Sequence, residues 1–473
     1  TYRDMTLDWS ADASAERPTV VIAERPGAVV ISGRSSLNIS GKGLTVSSLV
    51  FADGEIEKGA VVSFRKGDSL ARECRLTDCV IDSYDPPRRD MNTSHVHLYG
   101  RDNRVDHCSF LGKKSLGVTL IVWLNYTSCL DNRHSIDHNI FGPRPVYGSN
   151  GAETIRIGTS QQCMESSRTS VKDNLFLRCN GEVEVISVKS SDNVIEDNIL
   201  YECQGVLALR HGERNIVRDN MFIGNGVRNT GGVRIVDSGH EVVGNKFYDL
   251  AGDRFFSALA LMSAVPNSLP NRYVQVEDVL IEGNGFYSCR SIEFGTGLDY
   301  ERTLPPKDIT FRGNLICNPD MTAPYEAFPD ADGIMFEDNE VRLADVEARP
   351  EYSAVAEGKG AQWYADAEEL RSGIAQPEAA AETDGDGVAK TVAGSGEKII
   401  AEPGQNLAAI VAAAPAGASV ILTDGTHRIE ESLRISVPVE ILAAEGAEPV
   451  LKFAGKKSDD MVKICDGGRL SIS

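Results

Sequence analysis

Between Asn150 and Arg234 the chain reads N-G-A-E-T-I-R-I-G-T-S, N-G-E-V-E-V-I-S-V-K-S-S-D-N, L-R-H-G-E-R-N and G-G-V-R-I, and most side chains able to do chemistry together fall there. Glu182 and Glu184 are two apart, so on a strand they project to one side, where their charges repel unless a cation lies between them. With the carbonyl of Asn150 they make an all-oxygen set that suits a hard cation, Ca²⁺ rather than zinc. A solvated acidic strand face is the other reading of the same pair. Lys189 and Arg210 offer two cationic groups. Beside a bound Ca²⁺ they would push the lysine toward neutrality, as a general base requires, while the arginine keeps its charge. Alternatively they are surface cations that offset the nearby carboxylates. Lys189 has the opposite strand parity to Glu184, so a bend must intervene if both serve one site.

Arg234, Lys113, Lys114 and Arg156 are candidates to add positive charge to a groove, each with an ordinary surface role as the alternative. His211 follows Arg210 directly and either contacts a ligand or caps a turn. Tyr99, in H-V-H-L-Y-G-R-D-N, lines the same groove or packs inside.

The elements that position these residues come from an internal repeat. K-D-N-L-F-L-R-C (172–179), E-D-N-I-L-Y-E-C (196–203), R-D-N-M-F-I-G-N (218–225), V-G-N-K-F-Y-D-L (243–250), E-G-N-G-F-Y-S-C (282–289) and R-G-N-L-I-C (312–317) are copies of one unit. Weaker copies stand at 106–110 and 137–141. Between asparagines the steps are 24 (174 to 198), 22 (198 to 220), 25 (220 to 245), 39 (245 to 284) and 30 (284 to 314), and the long steps mark inserted loops. Units this short, rich in β-branched residues and broken by Gly, Asn and Asp, predict an all-β chain folded as a right-handed parallel β-helix. Successive coils then stack about 4.8 Å apart, with the asparagines in a hydrogen-bonded ladder. Cys179, Cys203 and Cys289 share one repeat position and read as a column of buried thiols, with a disulfide as the alternative. Counted from the ladder, Asn150, Glu184, Lys189, Arg210 and Arg234 sit at similar offsets on four successive coils and should form a column on one face.

Residues 1–354 are expected to form this β-helix, with an N-terminal cap expected before the first coil. Residues 355–398, rich in Ala, Glu and Gly, suit a linker. Residues 399–473 read as the start of a second β-helix, with a short helix within 403–416 covering its open end. The chain has 473 residues and a formal net charge of -21, from 69 acidic and 48 basic residues. That balance argues against capture of nucleic acid or an anionic membrane surface. No apolar run reaches the roughly 18 residues of a membrane span. Ten cysteines in a chain of this size do not make a disulfide scaffold, and none has zinc spacing.

N-G-A-E-T-I-R-I-G-T-S, E-V-E-V-I-S-V-K and L-R-H-G together resemble polysaccharide lyase family 6, the family of alginate lyases and chondroitinase B, over roughly residues 1–350. The resemblance implies β-elimination on a uronic-acid polysaccharide, alginate first and dermatan sulfate as the alternative. It implies calcium ligands at Asn150, Glu182 and Glu184, a Brønsted base at Lys189 and a Brønsted acid at Arg210. His211, Arg234 and Glu153 match positions that bind or orient sugar. It further implies a secreted or periplasmic bacterial enzyme, with action from chain ends and a homodimer as weaker expectations. A non-catalytic carbohydrate-binding β-helix is the reading from another class, and it has no use for Lys189 and Arg210 beside a paired-glutamate site.

Overall fold

The computed structural model describes residues 1–14, 16–318, 323–329, 332–342, 350, 355–364, 398–431, 433–444, 447, 449–453, 462–464 and 469–472. The chain divides into two compact units, Thr1–Ala375 and Gln376–Ser473. The first is a parallel β-helix whose coils build three long sheets of 13, 14 and 12 strands. A typical coil runs from Ser170–Lys172 through a tight turn to Leu175–Leu177, then through a longer loop to Glu184–Lys189. These three strands enter the 12-, 13- and 14-stranded sheets in turn, and the 14-stranded sheet carries the site described below.

The repeat motif is explained by the tight turn. The residue before each ladder asparagine adopts positive φ: +53° at Asp173, +54° at Asp197 and Asp219, +68° at Gly244, +65° at Gly283 and +60° at Gly313. Gly, and Asp or Asn among side-chain-bearing residues, enter that region most cheaply, hence D-N or G-N in the six strong units, while His138 takes the same turn at +56° before Asn139. The asparagine that follows is buried, and its amide donates to the carboxamide oxygen of the next coil. This ladder runs Asn139–Asn174 (2.9 Å), Asn174–Asn198, Asn198–Asn220, Asn220–Asn245, Asn245–Asn284 and Asn284–Asn314 (each 3.0 Å), then Asn314–Asn339 (3.1 Å). A second, shorter column, not evident from the repeat, links Thr169, Asn193, Asn215 and His240.

Two apolar columns stack beside the ladder. Phe110, Phe141 and Phe176 lie 5.0 and 5.1 Å apart, and Phe222, Phe247 and Phe286 lie 4.8 and 4.7 Å apart, with near-parallel rings. Leu200 interrupts the series between them. Cys179, Cys203 and Cys289 are buried and free, and the Cys179 amide points at Cys203 Sγ at 3.4 Å.

Residues 355–364, expected in the linker, instead pack on the first unit. Val355, Ala356 and Ala361 are buried, the Ala361 amide donates to Ser109 Oγ at 3.0 Å and Tyr364 Oη donates to Asp82 at 2.9 Å. Apolar residues within the Ala-rich stretch find uncovered apolar surface on the outside of the 13-stranded sheet, which composition alone does not reveal. The rest of the expected linker, 365–397, lies outside the described residues. In the second unit, Lys398–Ala401, Ala418–Leu422, Pro438–Ala443 and Arg469–Ile472 form a four-stranded parallel sheet. A helix, Leu407–Ala413, buries Leu407 and Val411, and Asn406 caps it by accepting from the Ala409 amide. Among the described residues no helix is long and apolar enough to cross a membrane.

Asn198 donates to Val171 O, Glu196 O and Asn220 Oδ1 and accepts both donors of Asn174. Each buried group left without a partner costs about 1–3 kcal/mol. Asn198→Ala should therefore lower the melting temperature by several degrees, and Asn339→Ala, at the half-exposed end of the ladder, by much less. Equal losses in the two variants would show that ring and sheet stacking hold the coils without the ladder.

Candidate active site

The expected bend exists, and two β-bulges make it. On one edge, Glu184–Lys189 pairs regularly with Ile155–Gly158, Ile155 opposite Ile186 and Gly158 opposite Lys189. On the other edge, against Val206–His211, the register slips between Glu184 and Ile186 and again between Val188 and Lys189. At the first slip Val185 is the extra residue, so Val185, Ile186 and Val188 all reach the core. Outward alternation restarts at Ser187 and returns Lys189 to the side of Glu184. At the second slip Leu209 opposes Val188 and His211 opposes Lys189, which leaves Arg210 as the extra residue. A bulge re-aims a side chain at the cost of a local break in the ladder. Both groups proposed from sequence for proton transfer are placed this way.

They converge on three carboxylates. Glu153, Glu182 and Glu184 each offer an oxygen within 4.8 Å of the others. Glu153 is 3% exposed, and its Oε2 is buried without a hydrogen-bond partner. Its Oε1 lies 3.6 Å from Lys189 Nζ and 3.8 Å from an Arg156 guanidinium nitrogen. The Gly151 amide donates to Glu182 at 2.7 Å, and Ser187 Oγ donates to Glu184 at 2.5 Å. Arg234 pairs with Glu184 directly, and Arg210 Nε lies 3.8 Å from the same oxygen.

These surroundings split the acids. Burial, then the charges of Glu153 and Glu184, push the Glu182 carboxyl well above the usual range. Burial would raise Glu184 too, but Arg234, Lys189, the Ser187 hydroxyl and Arg210 together hold it below its ordinary value. Three crowded carboxylates with one buried oxygen unpaired fit a hard, oxygen-seeking cation. Asn150 lines the same cavity from an exposed position. The carboxylate set thus includes Glu153, for which the sequence had suggested a sugar contact.

Arg210 is held from outside its own coil. It donates to Arg272 O at 3.1 Å, and its guanidinium lies 4.5 Å from the centre of the Tyr273 ring. Burial lowers its pKa from the ordinary arginine value. Burial, then Arg210 and Lys189, bring His211 down to about 3, so the imidazole is neutral, with Nε2 3.3 Å from Ser160 Oγ. The cavity, about 410 Å³, is completed by Phe255, Phe256, Asn271 and Tyr273. Sequence reasoning missed these four and Ser160. The first four belong to the 39-residue step from Asn245 to Asn284, so the length of that step was the signal, although nothing in it said which side chains would fold inward.

The remaining expected residues divide. Arg156 stands beside Glu153, with its guanidinium 5.8 Å from the Trp123 ring centre. Tyr99 is 7% exposed and stacks on Trp123 at 5.8 Å, with the Arg65 guanidinium 4.6 Å from its ring centre, in an aromatic cluster beyond the cavity lining. Lys113 is not a groove cation: it is 2% exposed, and Nζ donates to Ser115 Oγ at 2.7 Å. Its chain segment turns inward, and burial brings its amine down to about 7. Lys114 is exposed.

The family model described as Chondroitinase B matches residues 1–362. Among solved structures the chain is similar to the PL6 family alginate lyase AlyGC, with 36% identity and a TM-score of 0.75 over 100% of this chain and 66% of that one. It is also similar to a mannuronic acid specific polysaccharide family 6 lyase from human gut microbiota, with 32% identity and a TM-score of 0.68 over 78% of this chain and 91% of that one. The polysaccharide lyase Pedsa3628 of Pseudopedobacter saltans, 23% identical with a TM-score of 0.64 over 76% of this chain and 92% of that one, shares the fold. None of the curated proteins matches the chain. With the family model covering well over half its length and two relatives above 30% identity, the chain belongs to polysaccharide lyase family 6, the chondroitinase B family.

Proposed function

We propose that this chain cleaves alginate by β-elimination, with Lys189 as base, Arg210 as acid and calcium as cofactor. The observation that carries the reading is the convergence of Lys189 and Arg210, each brought out by a bulge, on the Glu153–Glu182–Glu184 cluster. Held by these three glutamates with Asn150 at the rim, calcium would neutralise a uronate carboxylate and so make the adjoining C5 proton more acidic. Lys189 Nζ takes that proton. The C5–H electron pair becomes the C4–C5 double bond, the C4–O bond breaks, and the leaving oxygen receives a proton from the Arg210 side. Arg210 suits this role better than an exposed arginine would, because burial weakens its hold on the proton and Arg272 O and Tyr273 fix its plane. Neutral His211 and Ser160 offer hydrogen bonds to sugar hydroxyls without adding charge.

Two relatives above 30% identity are described as an alginate lyase and a mannuronic acid specific lyase, which favours alginate. The family model's name favours dermatan sulfate as the second reading. Against it, Arg210 and Arg234 each lie within ion-pair distance of Glu184, so these lining cations are already engaged rather than left for a sulfate. A polymeric substrate, which does not cross a membrane unaided, supports a secreted or periplasmic enzyme.

Incubation with alginate should generate the ultraviolet absorbance of the new double bond, and dermatan sulfate should not. Lys189→Ala should lower the rate by about 10²–10⁴-fold with little change in melting temperature. Absorbance from neither polymer, or a Lys189→Ala enzyme of full rate, would contradict the reading. The carboxylate cluster gives a pH dependence. The folded, metal-free chain binds the Glu182 proton more tightly than the unfolded chain, whose glutamate titrates near 4.5. The contribution of Glu182 to stability is therefore fully present below that pH and is lost as pH rises through the raised folded value. Chelated protein should melt lower at pH 8 than at pH 5, calcium should restore it, and Glu182→Gln should remove both effects. A melting temperature indifferent to chelation and to Glu182→Gln would remove the cation from the account.

A further inference from the structure

Behind the carboxylate cluster, on the interior side, lies a buried arginine that no step above uses. Arg144 is 2% exposed. Its guanidinium donates four hydrogen bonds: to Ser115 O and Gly117 O at 2.8 Å each, to Glu153 O at 2.9 Å and to Thr119 Oγ1 at 3.2 Å. Three of the acceptors are main-chain carbonyls, so the guanidinium ties the Ser115–Thr119 segment to the backbone of Glu153 itself. It also abuts the residue before Glu182. A Cβ on Gly181 would stand 2.8 Å from Arg144 Nε and 2.2 Å from Ala152 O, so the absence of a side chain there lets the arginine pass between the two coils. The Arg144 backbone is in turn fixed to Arg178 O and the Asn180 amide. Burial lowers the Arg144 pKa to about 10, against which the nearby carboxylates of Asp85, Glu153 and Glu182 favour its charge.

A buried cation costs several kcal/mol unless its partners are well placed. Four bonds along two edges of a planar fork are a geometry that an ammonium on a flexible stem does not reproduce. We infer that Arg144 is a positioning residue, which sets the separation of Glu153 and Glu182 and supplies interior positive charge that lets the carboxylates face one another at cation-binding distance. The inference rests on the proposed calcium site and assigns Arg144 the role that outer hydrogen-bonding partners play for metal ligands, where a substitution typically costs 10–100-fold in affinity.

The test is calcium titration by calorimetry on the full chain after chelation, with the calcium-induced rise in melting temperature read in parallel. Arg144→Lys keeps the charge and loses the fork, and should bind calcium 10–100-fold more weakly than the wild type, with activity recovered at high calcium. Gly181→Ala keeps the arginine in the chain but forces its guanidinium to shift, because a Cβ there stands 2.8 Å from Nε, and should weaken calcium in the same direction. This second variant decides the question if Arg144→Lys does not fold. Calcium affinity within twofold of the wild type, in whichever of the two variants folds, would overturn the inference and reduce Arg144 to a packing role. A wild-type chain that binds no calcium would overturn the calcium site itself, and this inference with it.

Discussion

One hydrogen bond per coil governs this molecule: the carboxamide of each buried asparagine donates to that of the next, from Asn139 through to Asn339. Because the donor and acceptor are the same residue type at the same turn, the bond fixes both the spacing and the rotational phase of successive coils. A one-residue slip in a coil would send its inward side chains to the surface, and the ladder makes such a slip costly at every turn. Residues distant in sequence thereby become neighbours at strand spacing. Glu153, Glu184, Arg210 and Arg234 come from four coils and share one cavity for that reason.

The site itself sits where the regularity is broken. Strand alternation alone would bury Lys189, and the unpaired Val185 turns it outward. Arg210 projects as the extra residue of a second bulge, then needs Arg272 and Tyr273 from an inserted segment to hold it. The cost of bringing acids and bases together is visible in the split between Glu182 and Glu184. One is driven toward its protonated form, and the other is kept charged by the arginines that face it. A rigid frame is what permits this local frustration, since the asparagine ladder runs unbroken a few residues away.

Much of this was legible in the chain. The D-N and G-N motifs gave away the turn, because positive φ restricts which residues can stand there, and the ladder positions then served as a ruler for the site column. The helix at Leu407–Ala413 was legible from its apolar run after Asn406. The bulges were not, because V-E-V-I-S-V has the same composition whether or not Val185 is paired, and only the parity mismatch between Glu184 and Lys189 hinted at one. Lys113 looked like a groove cation because a charged side chain in a loop is usually solvated, yet its amine is buried against Ser115. Arg144 shows the converse limit: its guanidinium bonds mainly to main-chain carbonyls of other coils, contacts that leave no mark on the local sequence.

The central claim is that this cavity breaks a glycosidic link by removing a proton rather than by adding water. Mass spectrometry of the oligosaccharides released from alginate in heavy-oxygen water tests it directly. The account predicts products with one unsaturated terminal ring and no heavy oxygen incorporated at the cleaved bond. Saturated products carrying one heavy oxygen per cleavage would contradict it.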